Sequence, residues 1–386
     1  MHFRRVALIR LATLVLLLAV VLGSAGSVSS ATTLTRRQRF GIGFTTQVWE
    51  GDHRVAQSLS SYNLDSLQVG WYSDWQYRAM PSQPKDVTPA TRLEYVQLLE
   101  VRDDVWPPDW SAVQNAVTLN PQSTWIIGNE PECPNQGNLT PAEYATRYHE
   151  AYVRIKGWDP SAQVAIGGVV EPTPLRLRWL EAMMSSYATQ YGHSMTTDID
   201  VWTIHMQILT EGPGTAGAGE PVGITVGAGE AMEFSYPDCA RVEVFKSLVT
   251  DFRTWLAAQG EREKPLIISE MGVLMPSYLL YEDSSMTEAQ RAAVGDRLIE
   301  QFMSQVFDWL LTAKSSTIGC TTDGTLLVQR WLWFSLNDSF YDEETNPKGF
   351  NGALFDYQSK TLTRFGQRFV AYQSQTNRLS VPLVQR

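Results

Sequence analysis

Cysteine and histidine are scarce in this sequence, which has three cysteines and five histidines among 386 residues. Neither a Cys-x-x-Cys nor a His-Glu-x-x-His spacing occurs. Disulfide frameworks and zinc sites both need such residues in clusters, so the sequence excludes the first and disfavours the second. We therefore predict no metal and no other cofactor.

Basic residues are also few relative to acidic ones. Lys and Arg total 31 against 41 Asp and Glu, which gives a formal net charge of −10. Proteins that bind nucleic acid need clustered positive charge to meet the phosphates, so a nucleic-acid partner is excluded. An acidic protein is compatible with a neutral substrate.

The N-terminal segment has the pattern of an export signal. Arg4, Arg5 and Arg10 precede an apolar run from Leu11 to Leu22, and small residues follow up to Ala31. This order predicts a signal peptide over residues 1–31, cleaved between Ala25 and Ala31. An uncleaved anchor is the alternative, although the run is shorter than the roughly 20 residues of a membrane span. In either case we expect the body of the protein outside the cytoplasmic membrane.

No internal repeat, low-complexity block or Pro/Ser-rich linker divides the rest of the chain. Removing residues 1–31 leaves 355 residues and, because three arginines are lost, moves the net charge from −10 to −13. A (β/α)8 barrel commonly holds this length in one domain. We predict a single domain over residues 38–378, a tail over 379–386 and a monomer.

Eight short apolar segments are predicted β-strands, and helical periodicity lies between most of them. The strands are Phe40–Phe44, Ser66–Gly70, Tyr95–Leu99, Thr124–Gly128, Gln163–Gly168, Asp200–His205, Pro265–Glu270 and Arg330–Leu336. The helices are Pro141–Lys156, Leu175–Tyr187, Arg241–Ala258 and Thr287–Leu311, with Thr140 and Thr287 as N-caps. Strands that are apolar on both faces and alternate with helices indicate a parallel sheet. The predicted fold class is therefore α/β, a (β/α)8 TIM barrel.

A glutamate stands at or just after the end of the fourth and of the seventh predicted strand. Glu130 follows the apolar run at residues 125–127, and Glu270 follows Leu266–Ser269. In a barrel, the carboxyl ends of all strands lie on one face, where the chemistry takes place. Two carboxyl groups facing each other across a cleft are the catalytic groups of a glycoside hydrolase.

The sequence around both glutamates resembles a known enzyme group. Asn129-Glu130-Pro131 is similar to the acid/base motif of the retaining glycoside hydrolases of clan A, and Ile268-Ser269-Glu270-Met271-Gly272 is similar to their nucleophile strand. The stretches at residues 69–75 and 128–132 resemble family 128, a "glycosyl hydrolase catalytic core", with families 5 and 39 as neighbours. The resemblance spans roughly residues 40 to 375. It implies that Glu130 is the acid/base and Glu270 the nucleophile.

The resemblance also bears on the roles of Asn129 and Gln207. The amide of Asn129 would bind the 2-hydroxyl of the sugar, the alternative being that it caps its own turn. Clan A enzymes often carry His-x-Tyr at the sixth strand, where the tyrosine bonds the nucleophile. This sequence has His205-Met206-Gln207 instead, so that tyrosine is absent or supplied elsewhere. We predict that His205 ends the sixth strand at the barrel mouth and bonds a sugar hydroxyl there, the alternatives being that it orients a carboxylate or has a structural role. We also predict Gln207 as a substrate contact.

Aromatic side chains are the other expected part of a sugar site. Trp71, Tyr72 and Trp75 follow the predicted second strand, and Trp333 lies on the eighth. We predict Trp71, Tyr72 and Trp333 as substrate-binding residues, with Trp333 beneath the sugar at the cleavage point. Core packing is the alternative for each, because large aromatic residues are usually buried. Glu100 and Glu171 also end or follow strands and could line the cleft.

The predicted function is a secreted retaining glycoside hydrolase that acts on a β-linked glycan. The likeness to family 128 favours β-1,3-glucan. A barrel that binds carbohydrate but has lost catalysis is the alternative, and the missing tyrosine is its sequence support. A metal-dependent hydrolase fits poorly, because no cluster of His and Asp ligands occurs. Cys133 and Cys239 both follow predicted strands on one face, so they are the expected pair if two of the cysteines form a disulfide.

Overall fold

The computed structural model describes residues 33–212 and 217–379, with side chains up to residue 375. From Leu34 onward the described chain forms one compact unit. The predicted signal peptide lies outside the described residues, as do residues 380–386 of the predicted tail. None of the described helices combines the length and the apolar composition that crossing a membrane requires.

The core of the fold is a set of short parallel strands joined largely through helices. The strands of this set are β1 (Phe40–Gly43), β4 (Trp71–Ser73), β5 (Glu94–Tyr95), β6 (Gln97–Leu99), β7 (Thr124–Ile127), β8 (Gln163–Ile166), β9 (Trp202–Met206), β10 (Leu266–Met271) and β11 (Arg330–Trp333). Six of them form a sheet in the order β5-β4-β1-β11-β10-β9, and three form a second sheet in the order β6-β7-β8. All of these pairings are parallel. The predicted α/β class with parallel strands is confirmed.

Isolated backbone contacts link the two sheets at two places. Only Val96 separates β5 from β6, and its backbone N–H donates to the carbonyl of Tyr72 on β4. At the other end, isolated parallel bridges join Ala165 to Val201 and Val169 to Ile204. Closure of the strands into an eight-stranded barrel stays a prediction.

Side chains along the strands alternate between two hydrophobic clusters. On β11, Leu332 belongs to a small inner cluster, whereas Trp331 and Trp333 belong to the large cluster beneath the helices. This alternation follows from the two-residue period of a strand. Trp71 also lies in the inner cluster, and a Cβ on its strand neighbour Gly41 would lie 2.3 Å from the indole. Only glycine leaves room for that ring.

Seven α-helices lie within the described residues. They are α1 (Arg36–Arg39), α2 (Trp110–Leu119), α3 (Pro141–Trp158), α4 (Pro174–Tyr191), α5 (Val242–Ala258), α6 (Glu288–Thr312) and α7 (Arg364–Leu379). The predicted caps of α3 and α6 are confirmed: Thr140 and Thr287 each form a capping box with the residue three positions on. The predicted helices match α3 to α6 within a few residues, while α1, α2 and α7 were not predicted.

The second strand begins later than predicted. Asp65–Leu67 forms a 3₁₀ turn, and the strand that enters the sheet is β4, Trp71–Ser73. An antiparallel hairpin of β2 (Gln47–Glu50) and β3 (His53–Ala56) was also not predicted. The expected pair of Cys133 and Cys239 is not formed, because both thiols are free and buried, as is that of Cys320.

Candidate active site

Glu130 lies in a tight left-handed turn immediately after β7. Gly128 has φ +87° and Glu130 has φ +43°. A Cβ on Gly128 would lie 2.7 Å from Val101, so glycine is required there for both space and conformation. The turn is held by a bond from the Glu130 N–H to the carbonyl of Gly168 on the neighbouring strand connection, at 3.1 Å. A non-glycine residue at positive φ costs free energy, and such strain concentrates at functional sites.

A register shift within β10 sets the direction of the Glu270 side chain. Ile268 pairs with Ile204 on β9, yet Glu270 pairs with the next residue, His205. Ser269 is therefore an extra residue, a β-bulge that turns the side chains after it. As a result, the Glu270 carboxyl group lies beside the ring of His205 and opposite Glu130.

His205 stands between the two glutamates. Its Nδ1 lies 2.9 Å from Oε1 of Glu130 and 3.9 Å from Oε2 of Glu270. One ligand atom from each of the three residues falls within 4.8 Å of the other two. Both glutamates are 8% exposed, so each retains a small contact with solvent.

Glu270 receives a hydrogen bond at each carboxylate oxygen. The indole Nε1 of Trp75 donates to Oε2 at 2.9 Å. The amide Nε2 of Gln207 donates to Oε1, also at 2.9 Å. Donors of this kind favour the ionised form of a carboxyl group. Glu130, by contrast, has His205 as its one side-chain hydrogen-bond partner among the described residues.

The same trio is the one group of His, Cys, Asp and Glu among the described residues that could face a metal ion. A cation there would compete with two N–H groups already directed at Glu270. Divalent metal sites are normally lined by acceptor atoms alone. The donors therefore suit a free carboxylate better than a metal ligand.

Burial perturbs all three titratable groups. It raises the pKa of Glu130 to about 7, opposed by the positive charge of Arg176. Burial also raises the pKa of Glu270 to about 7; the charge of Glu130 adds to this, and His205, Trp75 and Gln207 oppose it. The pKa of His205 is lowered by burial, against the negative charges of Glu270 and Glu132. Two carboxyl groups this close lose their protons in two coupled steps, and the two N–H donors favour ionising Glu270 first.

A fully buried charged cluster supports the turn that carries Glu130. Nε of Arg176 lies 2.8 Å from Oε1 of Glu132, and its guanidinium also contacts Glu211. The backbone N–H of Val170 donates to the same oxygen of Glu132 at 2.9 Å. Glu171 is buried nearby, with its pKa raised by burial to about 8. Glu171 is 0% exposed, so it does not line the cleft.

Asn129 presents an oxygen with no internal partner. Its Oδ1 is buried and accepts no hydrogen bond from any described residue. The alternative role, capping of its own turn, is not observed. A buried amide oxygen without a donor is costly, unless a ligand supplies one.

The aromatic residues predicted for the site lie elsewhere. Trp71 is 0% exposed within the inner cluster, and Tyr72 donates its hydroxyl to the carbonyl of Ser82. Both belong to β4 itself rather than to the loop after it, because the strand starts later than predicted. Trp333 faces the helices and donates its indole N–H to the carbonyl of Gly352 at 2.9 Å. These three predictions are corrected to core packing.

Trp75 bonds Glu270 and packs against a second aromatic residue, Phe334. Their ring centroids are 5.5 Å apart in an edge-to-face arrangement. Phe334 follows Trp333, so strand alternation counted from Leu332 would have placed it on the inner side. Trp75 was recognised as an aromatic residue after the second strand, but nothing in the sequence pairs it with a glutamate 195 positions away.

Comparison with known families agrees with this arrangement. Residues 46–212 match a family described as "Glycosyl hydrolase catalytic core". The match contains Glu130, His205 and Gln207 and ends before Glu270. A search of curated proteins finds no match. The chain thus has an α/β fold with parallel strands and paired buried carboxyl groups, and it resembles a glycosyl hydrolase catalytic core.

Several solved glycosidase structures are similar to this chain at low sequence identity. A β-xylosidase from Caulobacter crescentus has 12% identity and a TM-score of 0.50, covering 89% of this chain and 69% of that one. A family 128 endo-β-1,3-glucanase from Pseudomonas viridiflava has 15% identity and a TM-score of 0.48, covering 79% and 90%. Another from Amycolatopsis mediterranei, in complex with laminaritriose, has 18% identity and a TM-score of 0.47, covering 87% and 99%. The likeness to the β-xylosidase is one of fold.

Proposed function

We propose that this protein is a retaining glycoside hydrolase that cleaves a β-linked glycan by double displacement. The observation that carries the proposal is the separation of the two glutamates, whose nearest carboxylate oxygens lie within 4.8 Å of each other. Retaining enzymes hold their carboxyl groups about 5–5.5 Å apart, whereas inverting enzymes leave about 6.5–9.5 Å for a water molecule. The observed separation supports retention.

Glu270 is the nucleophile in this mechanism. Its carboxylate is the better stabilised of the two, because Trp75 and Gln207 donate to both of its oxygens. It attacks the anomeric carbon as the glycosidic bond breaks, and Glu130 gives its proton to the departing oxygen. The products of this step are a glycosyl ester on Glu270 and a free leaving alcohol.

Glu130 then changes from acid to base. Once Glu270 is esterified, its negative charge is gone, and the neighbouring Glu130 remains ionised more readily. Glu130 accepts a proton from water, and the oxygen of that water attacks the anomeric carbon and releases Glu270. The sugar hemiacetal leaves with its original configuration, and Glu130 is protonated again.

Gln207 and Asn129 support catalysis over simple binding. The missing tyrosine after His205 was the ground for a barrel that has lost turnover, and Gln207 supplies a donor to Glu270 from that position. The unpartnered Oδ1 of Asn129 suits a sugar hydroxyl beside the reacting carbon. Hydrogen bonds to the 2-hydroxyl strengthen in the transition state.

The substrate part of the proposal rests on sequence motifs. The stretches at residues 69–75 and 128–132 resemble family 128, which favours β-1,3-glucan. We also propose that the protein acts outside the cytoplasmic membrane, on the basis of residues 1–31. N-terminal sequencing of protein recovered from the culture medium or periplasm would test that part.

The test is digestion of a panel of polysaccharides, including β-1,3-glucan, with product masses measured. Wild-type protein should release oligosaccharides, and Glu270→Ala should not. Glu243→Ala, on the exposed face of α5 with a side chain 80% exposed, is the matched control and should retain wild-type rates. Proton NMR during the first minutes should show the β-anomer appearing before mutarotation.

Three results would count against the proposal. Equal activity of Glu270→Ala and wild type would remove the assigned nucleophile. Initial release of the α-anomer from a β-linked substrate would mean inversion. Loss of activity on adding a chelator, with recovery on adding metal, would favour a metal-dependent reaction instead.

A further inference from the structure

A groove of about 580 Å³ lies next to the candidate active site. It is lined in part by Trp75, Tyr77, Leu98, Glu100 and Pro107, and we call it the Tyr77 groove. These residues come just after β4, at the carboxyl end of β6 and from the loop before α2. Carboxyl ends of parallel strands share one face, so the groove opens on the same side as Glu130 and Glu270. Its volume lies in the range of about 300–1,000 Å³ that is usual for ligand sites.

Trp75 joins the groove to the reacting groups. Its indole nitrogen donates to Oε2 of Glu270 at 2.9 Å, and the same side chain forms part of the groove wall. The groove therefore lies within one indole side chain of Glu270. In a double displacement, the sugar bound against Glu270 is the one transferred to it. A ligand that passes from Glu270 along Trp75 into the groove would extend on the side of the transferred sugar.

The groove wall has the mixed chemistry that a sugar ring needs. Tyr77 is half-buried, and its ring packs near Trp125 with centroids 6.4 Å apart. Its hydroxyl makes no hydrogen bond to any described residue, which leaves it available to a ligand. Leu98 and Pro107 add apolar surface. Pyranose rings have an apolar C–H face that packs on such residues, as well as hydroxyls that need polar partners.

The charged residues of the groove select against anionic ligands. Glu100 is half-buried, and its Oε1 accepts the Val101 N–H at 2.8 Å while Arg102 lies 3.4 Å from Oε2. Asp109 lines the same groove and caps α2. Carboxylates accept hydrogen bonds from sugar hydroxyls, but they repel uronic acids and phosphates. A neutral glycan is the chemical class that fits.

We propose that the Tyr77 groove binds at least one further hexosyl unit of a neutral glycan, on the glycone side of the bond that is cleaved. The inference rests on the proposed function for the position of the cleaved bond. Tyr77 is then a residue that determines how strongly chain length affects binding, while the reacting groups remain Glu130 and Glu270.

The experiment uses aryl β-glycosides that carry one to four β-1,3-linked glucosyl units. The aryl group occupies the leaving position, so each added unit extends on the glycone side. For wild-type protein, kcat/KM should rise with chain length. In Tyr77→Ala, the ratio of kcat/KM for the longest to the shortest substrate should fall about tenfold, because the buried contact with the ring is lost.

Two further variants distinguish loss of the contact between the Tyr77 ring and the sugar from a general effect of removing a tyrosine. Tyr77→Phe keeps the ring and should retain most of the chain-length ratio. Tyr152→Ala removes another half-buried tyrosine, on α3 outside the cleft, and should keep the wild-type ratio. An unchanged ratio in Tyr77→Ala, or an equal fall in Tyr152→Ala, would overturn the inference.

Binding measured by calorimetry distinguishes failure of the groove from failure of the proposed function. Glu270→Gln should bind β-1,3-gluco-oligosaccharides more tightly as they lengthen, and Glu270→Gln/Tyr77→Ala should not. Chain-length-dependent binding without hydrolysis by wild type would uphold the groove and refute the hydrolase. If wild-type protein hydrolyses the substrates but Glu270→Gln binds short and long oligosaccharides equally well, the groove is refuted. The absence of any binding by Glu270→Gln would also refute it.

Discussion

Gln207 donates its side-chain N–H to Oε1 of Glu270 at 2.9 Å. Gln207 is two residues after His205, where the clan A resemblance implies a tyrosine bonded to the nucleophile. The side chain is almost fully buried, and its own Oε1 accepts no hydrogen bond from the described residues. An amide therefore holds the carboxylate from the position at which the resemblance implies a phenol. Contact between Gln207 and substrate stays a prediction.

Replacing Gln207 should slow the attack by Glu270. A hydrogen bond to a charged group is worth about 1.5–3 kcal/mol, so Gln207→Ala should lower kcat for an aryl glycoside by about tenfold to hundredfold. Single-turnover kinetics of the glycosylation step would measure the effect. Gln136→Ala, at an exposed glutamine beyond Glu130, serves as the control and should retain the wild-type rate. A change in KM alone would indicate that Gln207 binds substrate instead.

Removing the indole donor of Trp75 should change the pH dependence of the reaction. The Trp75 N–H lowers the pKa of Glu270 against the effect of burial, so Trp75→Phe should raise that pKa. A protonated Glu270 cannot attack, and the acidic limb of kcat/KM should therefore move to higher pH, by about one unit. The variant would lose more activity at pH 5 than at pH 8. Trp158→Phe, at the end of α3, should leave the limb in place; equal losses at both pH values in Trp75→Phe would contradict this prediction.

The roles of the two glutamates can be separated with azide. In Glu130→Ala, Glu270 can still form the glycosyl ester with an activated substrate, and azide can attack it in place of activated water. Partial rescue should yield a glycosyl azide of retained β configuration, identified by NMR. In Glu270→Ala, azide would attack the substrate directly and give the α configuration. The opposite pair of products would mean that the two roles have been exchanged.

Arg176 should be far more important to stability than its surface neighbour Arg178. Arg176 is fully buried against Glu132 and Glu211. Arg176→Met would leave these buried carboxylates without a positive partner and should lower the free energy of unfolding by about 3–5 kcal/mol. Arg178 lies two residues along α4 and pairs with Glu230 at half-exposed positions. Arg178→Met should cost no more than about 1 kcal/mol. Urea denaturation of both variants measures the difference, and similar losses would contradict the buried network as the cause.

Much of the fold was predictable because local patterns agree with the tertiary environment. The predicted strand at residues 124–128 matches β7, and the helix starts at Thr140 and Thr287 match their capping boxes. The second strand was misplaced, because Leu67 and Val69 alternate as in a strand, whereas Leu64 and Leu67 have the three-residue spacing of a 3₁₀ turn. That displacement made Trp71 and Tyr72 resemble loop residues, although β4 buries both.

The amino-acid sequence alone was enough to single out the residues that the proposed mechanism uses: two glutamates at the ends of apolar strands, with Asn129 before one and His205 on a strand between them. Their contacts with one another arise only in the folded chain. The bulge at Ser269 turns Glu270 towards His205, and the bonds from Trp75 and Gln207 to Glu270 span 195 and 63 residues. Spacing along a chain carries no information about such contacts, because they depend on strand register and on which side chain faces inward. The same cause explains why Trp333 packs under the helices while Phe334, one residue later, packs against Trp75.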